Sequence, residues 1–213
     1  GVELVGYTST ATGVEVRKTI TQLNLAGIFY LPNEMDQAVS NVLEIDSGFI
    51  GNLPRVGDFL LFGTGNDTQT ELVAVTGVNG SWYTLLRGML DTVPKKWMAG
   101  TRIVVIPVDS ITGDATRRSA FETVDYHFRT ITTNGILPLH NTPKISTTLS
   151  ERPHLPNRPA NVTVGGVRFG TFNMGTASSV VVNWANRNRL TEATQTPRWT
   201  DPSASVELGQ TTK

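Results

Sequence analysis

What most limits this chain is the shortness of its apolar runs. Between residues 42 and 108 they come four or five residues at a time: "FLLF" at 59–62, "LVAV" at 72–75, "WYTLL" at 82–86 and "IVVI" at 103–106. Each gives way to Gly, Asn, Asp or Pro before a helix could close its second turn. Short runs rich in Val, Ile, Phe, Tyr and Trp, punctuated by turn formers, are strand signals. Asn79-Gly80 is a strong two-residue hairpin signal, and "GTGNDTQT" at 63–70 has the composition of a hairpin loop. Residues 42–108 are therefore expected to form one compact antiparallel meander or barrel, in a chain that is all-β.

The flanks carry weaker patterns. "VEVRKTITQL" at 14–23 alternates loosely, so residues 1–30 read as a strand or extended N-terminal arm. "NEMDQAVSNV" at 33–42 has room for one or two helical turns, and "VLEID" after it reads as a strand. An alternating stretch at 121–131 closes a β-rich domain placed at 31–137. Pro138, Pro143, Pro153, Pro156 and Pro159 then mark residues 138–160 as a semi-rigid linker. Beyond it, at 161–213, "NVTVGG", "SSVVVNWANRNR" and "SASVEL" read as further strands.

Composition narrows the function classes. Lys plus Arg and Asp plus Glu are 18 each among 213 residues, a neutral balance that argues against a nucleic-acid binder, whose affinity rests on neutralising phosphates. The chain has no cysteine, which excludes disulfides, thiol nucleophiles and Cys-based metal sites. No apolar run approaches the roughly 18 residues of a membrane helix. Gly1 opens the chain and the first methionine is Met35, so it reads as a fragment or a processed piece.

Candidate chemistry is sparse. Gly63-Thr64-Gly65 follows a strand, but a dinucleotide turn needs a helix next, and here another strand is expected within a few residues. His127, His140 and His154 lie 13 and 14 residues apart with no ligand spacing, and read as surface or packing histidines. Asn66, Asn79 and Asn161 begin glycosylation sequons that are read as chance. Among the tryptophans, Trp82 and Trp184 are expected in the core and Trp97 on the surface, beside a solvated Lys95-Lys96 tip. No residue is assigned as catalytic, cofactor-binding or metal-ligating, and no cofactor is expected.

Two stretches carry a resemblance. "TELVAVTGVNGSWYTLLRGMLDTVPKKWMAGTRIVVI" resembles a segment of tail-tip and baseplate-hub proteins of tailed phages and gene transfer agents. Glu71, Leu86, Arg87, Gly88, Ala99, Gly100 and the strand at 103–106 match; Asp91-Thr92 stands where Gly-Thr is usual, and Trp97 where His is common. "VVVNWANRNRLTEATQTPRWTDPSASVELGQTTK" looks like the start of the fibronectin type III-like domain of the same proteins, through Trp184, Arg187, Arg189, Trp199, Asp201 and Glu207. The two together cover most of residues 40–213, in the right order.

The resemblance implies a non-enzymatic structural protein of the virion tail, assembled in the bacterial cytoplasm. It implies other tail proteins as partners and a homo-oligomer, a trimer or ring, with the host cell surface as a further contact. Two rival readings stand beside it, a carbohydrate-binding adhesin module and a polysaccharide-degrading enzyme fragment. An exposed row of aromatics favours the first, and paired carboxylates in a cleft the second. A sandwich domain of this type needs about 90 residues, so 161–213 is expected to be only its beginning.

Overall fold

The computed structural model describes residues 2–9, 15–23, 27–37, 40–45, 48–63, 70–110, 118–149, 157–192 and 196–209. Its strands run in chain order β1 (Val2–Ser9), β2 (Glu15–Leu23), β3 (Ile28–Tyr30), β4 (Ser40–Glu44), β5 (Phe59–Phe62), β6 (Glu71–Asn79), β7 (Trp82–Leu86), β8 (Arg102–Ile106), β9 (Thr123–Thr132), β10 (Gly135–Ile136), β11 (Lys144–Thr148), β12 (Ala160–Val164) and β13 (Val182–Ala185). Two short 3-10 turns, Val108–Ser110 and Leu139–Asn141, are the only helical elements among the described residues. The protein is all-β. The chain divides into two compact units, residues 1–26 with 107–155, and residues 27–106 with 156–213.

The first unit is an antiparallel sheet built around β9, with β1 along one edge and β10 and β11 along the other. β1 pairs in turn with β2. Asp125 of β9 accepts hydrogen bonds from Ser146 Oγ at 2.5 Å and Lys144 Nζ at 2.9 Å on β11. His127, half-buried, has its Nδ1 2.8 Å from Thr142 Oγ1.

This unit departs from two expected boundaries. Residues 2–9 and 15–23, expected as a strand or arm, are two paired strands, and β1 joins β9, which lies over a hundred residues away where no local pattern points to it. Within the expected linker, 144–148 is a strand. Pro143 stands immediately before it, a place where a missing N–H disturbs no ladder.

The second unit holds a curled six-stranded antiparallel sheet in the order β3-β8-β5-β6-β7-β4. Alternation along the strands buries one face: Leu60 and Phe62, Val73 and Val75, Tyr83 and Leu85, Ile103 and Val105 are all 2 % exposed or less. Phe29, Leu31, Met35, Leu43, Ile45 and Trp97 complete this core. Each fully buried Leu, Val or Phe stabilises the unit by roughly 1.5–3 kcal/mol.

The expected hairpin is present, with its turn one residue later than Asn-Gly would place it. Asn79 pairs with Trp82, so Gly80 and Ser81 are the central residues. Only Gly80 of the two has positive φ, at 59°, the pattern of a type II′ turn. Where one or two helical turns were expected at 33–42, the described residues form no helix. Met35 exchanges backbone hydrogen bonds with Trp97, and β4 begins at Ser40. β12 and β13 form a separate two-stranded sheet in the same unit.

Candidate functional site

β7 ends at Leu86, and the chain must then leave the sheet and return to it as β8 at Arg102. Fifteen residues outside a ladder carry backbone polar groups that need partners. Backbone partners such as Leu72, Met35 and Leu31 take several of them, and Arg87 and Glu71 supply those of Gly88 and Lys95. Arg87 donates through Nε to Glu71 Oε1 and through Nη2 to Glu71 Oε2, each at 2.6 Å, a two-pronged fork with both side chains 0 % exposed. The remaining guanidinium donors reach the carbonyls of Asp36 at 2.9 Å and Lys95 at 2.5 Å.

Glu71 is saturated from its other side. Gly88 N–H and Lys95 N–H each reach it at 3.2 Å, and Trp97 Nε1–H at 2.7 Å. A buried ion pair tolerates its desolvation only when its lone pairs and protons are occupied in this way. Phe62 lies under the knot, 5.9 Å from the guanidinium carbon and 5.8 Å from the Trp97 ring. Trp97 is thus buried, 5 % exposed, where sequence alone put it on the surface. Lys95 lies over its ring at 3.9 Å, and Lys96 pairs with Glu34 at 2.6 Å.

Gly88 sits at φ +66°, and a Cβ there would lie 2.6 Å from Pro94 Cδ and 2.8 Å from Trp199 Cβ. Beyond it, Thr92 closes the first turn of the loop. Its hydroxyl donates to Met89 O at 2.7 Å and accepts from Leu72 N–H at 3.1 Å.

The C-terminal segment docks on this corner. Trp199 N–H donates to Gly88 O at 2.9 Å, Leu90 N–H to Pro197 O at 2.8 Å, and Arg158 N–H to Asp91 Oδ1 at 2.7 Å. A second buried arginine organises that segment. Arg187, 2 % exposed, donates to the carbonyls of Arg198 at 2.5 Å and Pro202 at 3.1 Å, with Glu192 Oε1 at 3.7 Å. Arg189 holds Glu207 through its backbone N–H at 2.8 Å and Nε at 2.9 Å. The side-chain bond from Arg189 is the chief reason the Glu207 carboxyl titrates below its ordinary 4.5.

Among the described residues of this unit, two clefts open. One, of about 180 Å³, is lined by Trp82 and by Glu34, Asp36 and Glu44. Glu34 there is tied to Lys96, and Glu44 accepts from Ser81 Oγ at 3.4 Å. The other, of about 310 Å³, lies beside Trp184 on β13. Trp82 and Trp184, expected in the core, are 49 % and 41 % exposed: Trp82 lies on the outward side of β7, and Trp184 on β13, where Val182, Asn183 and Trp184 are all exposed.

His140 is exposed, and His154, Thr64, Gly65 and Asn66 lie outside the described residues. After β5 comes its antiparallel partner β6, and not a phosphate-binding helix. Among the described residues no three His, Asp or Glu side chains are grouped to hold a metal, and no helix is long and apolar enough to cross a membrane. No protein-family model matches the chain, and no curated protein matches it.

Proposed function

We propose that this chain is a structural component of a phage or phage-like tail tip or baseplate hub, scaffolding subunit assembly at the distal end of the tail. The supporting observation is that the two motif stretches meet. Glu71, Arg87 and Gly88 of the first form one corner, and Trp199 of the second packs on Gly88 and bonds its carbonyl. Residues chosen for chemistry would face a cleft. These face each other, each guanidinium nitrogen of Arg87 is engaged, and the loop they brace is an excursion suited to holding a neighbour. The same reading makes residues 161–213 the opening of a fibronectin type III-like domain, gives the chain no enzymatic activity, and makes other tail proteins and further copies of itself its partners.

Immunogold imaging of purified particles with an antibody raised against the chain tests this. Label confined to the distal tail tip is expected. Particles that carry no label, or carry it along the tube or on the capsid, would overturn the reading.

A further inference from the structure

The cleft beside Trp184 is not used by any of these contacts, and its walls have a distinct chemistry. Trp184 presents a half-exposed indole whose Nε1–H is committed to Asn186 Oδ1 at 3.0 Å, so the ring is held in one orientation. The cleft is lined beside it by Asn161, Asn183, Thr163, Thr200 and Asp201, residues that carry amide, hydroxyl and carboxylate groups. Asp201 Oδ2 accepts from Arg198 N–H at 2.8 Å, and its other oxygen takes no hydrogen bond among the described residues.

Asn161 is built unusually. It has φ +50°, in a region non-glycine residues seldom occupy, at an irregularity of the β12–β13 register between Ala160 and Thr163. Its Oδ1 is buried with no hydrogen-bond partner. Native structures rarely leave such an atom unmatched, and strained backbone concentrates at binding sites. The terminal torsion of an asparagine is soft, so a ligand hydroxyl entering the cleft can draw the amide round to meet it.

We propose that this cleft is a binding site for a neutral saccharide. An aromatic face flanked by amides, hydroxyls and a carboxylate matches the two surfaces of a pyranose: an apolar face of C–H bonds and an edge of hydroxyls that both donate and accept. The volume of about 310 Å³ lies at the small end of ligand sites, the size for a mono- or disaccharide. No Lys or Arg lines the cleft while Asp201 does, so uronic and other acidic sugars are disfavoured. The inference does not rest on the tail reading.

The test is saturation-transfer NMR with the whole chain against glucose, galactose, N-acetylglucosamine and their disaccharides, with glucuronic acid as the charged counterpart. At least one neutral sugar should bind with a dissociation constant of about 10 mM or tighter, and more tightly than glucuronic acid. Trp184→Ala should weaken it at least about tenfold, Asn183→Ala should weaken it less, and Trp82→Ala, in the other cleft, should leave it unchanged. Thermal melts of the variants separate lost binding from lost folding, and Trp184→Tyr, which keeps a stacking face, should retain part of the affinity. The proposal is overturned if no neutral sugar binds in that range, if glucuronic acid binds as well, or if a folded Trp184→Ala binds like the parent.

Discussion

Arg87 and Glu71 meet in a two-pronged ion pair, 2.6 Å at each prong, with neither side chain exposed to solvent. Sixteen residues separate them, and the pair joins the start of β6 to the end of β7 through the core side of the sheet. The apolar surroundings make the pair sensitive to the loss of either member.

Arg87→Ala should lower unfolding free energy by about 3–5 kcal/mol, because it strands a buried carboxylate. Glu71→Ala should cost a similar amount, and the double variant clearly less than the sum of the two. Urea denaturation with a double-mutant cycle measures this. A loss below about 1 kcal/mol for Arg87→Ala is the range of exposed pairs and would contradict the burial seen here.

Gly88 and Gly80 make a controlled comparison. Both have positive φ, +66° and +59°, but a Cβ at Gly80 meets nothing within 4 Å. Gly80→Ala should cost only the backbone penalty of a side chain at positive φ, about 1–3 kcal/mol. Gly88→Ala adds overlap with Pro94 and Trp199 and should cost about 1–3 kcal/mol more. Equal losses in the two variants would show that Trp199 does not pack on Gly88.

The four tryptophans should fall into two classes in acrylamide quenching of single-tryptophan variants. Trp97 and Trp199, 5 % and 6 % exposed, should be shielded, while Trp82 and Trp184, at 49 % and 41 %, should be quenched readily. A Trp97 as accessible as Trp82 would be incompatible with its hydrogen bond to Glu71.

Asp125 should titrate below its ordinary 3.8, first because Ser146 donates to it and then because Lys144 does. A carboxyl whose folded pKa is depressed stabilises the fold above its unfolded value. That contribution is lost as pH falls below about 3.8 and through the depressed folded value. Carbon-13 titration of the side chain should show the low midpoint, moving toward 3.8 in Ser146→Ala. An unchanged midpoint would remove Ser146 as the cause.

Amide exchange on the whole chain should find Leu90 and Trp199 protected, since their N–H groups bond to Pro197 O and Gly88 O across the docked C-terminal segment. Exchange at the rate of an unstructured chain at both positions would mean that the segment does not stay docked.

Strand content and the antiparallel unit expected at 42–108 were legible in the sequence. Each depends on neighbours in the chain: short apolar runs and turn residues between strands. Trp97 was misjudged because its surroundings "KKWMAG" are polar, while its burial comes from Glu71, which lies 26 residues earlier and captures the indole N–H. Trp82 and Trp184 are exposed although they stand in apolar runs, since such a run reveals neither which of its faces is covered, as at Trp82, nor whether the strand is covered at all, as at Trp184. Position 161 has no local mark beyond Asn, yet folding leaves its amide oxygen buried and unpartnered beside a tryptophan. Sequence by itself determined what was written in periodicity and turn chemistry, which act over a few residues. Tertiary structure decided which distant side chains share a desolvated space, and it is desolvation that turns Glu71 and Arg87 into a brace.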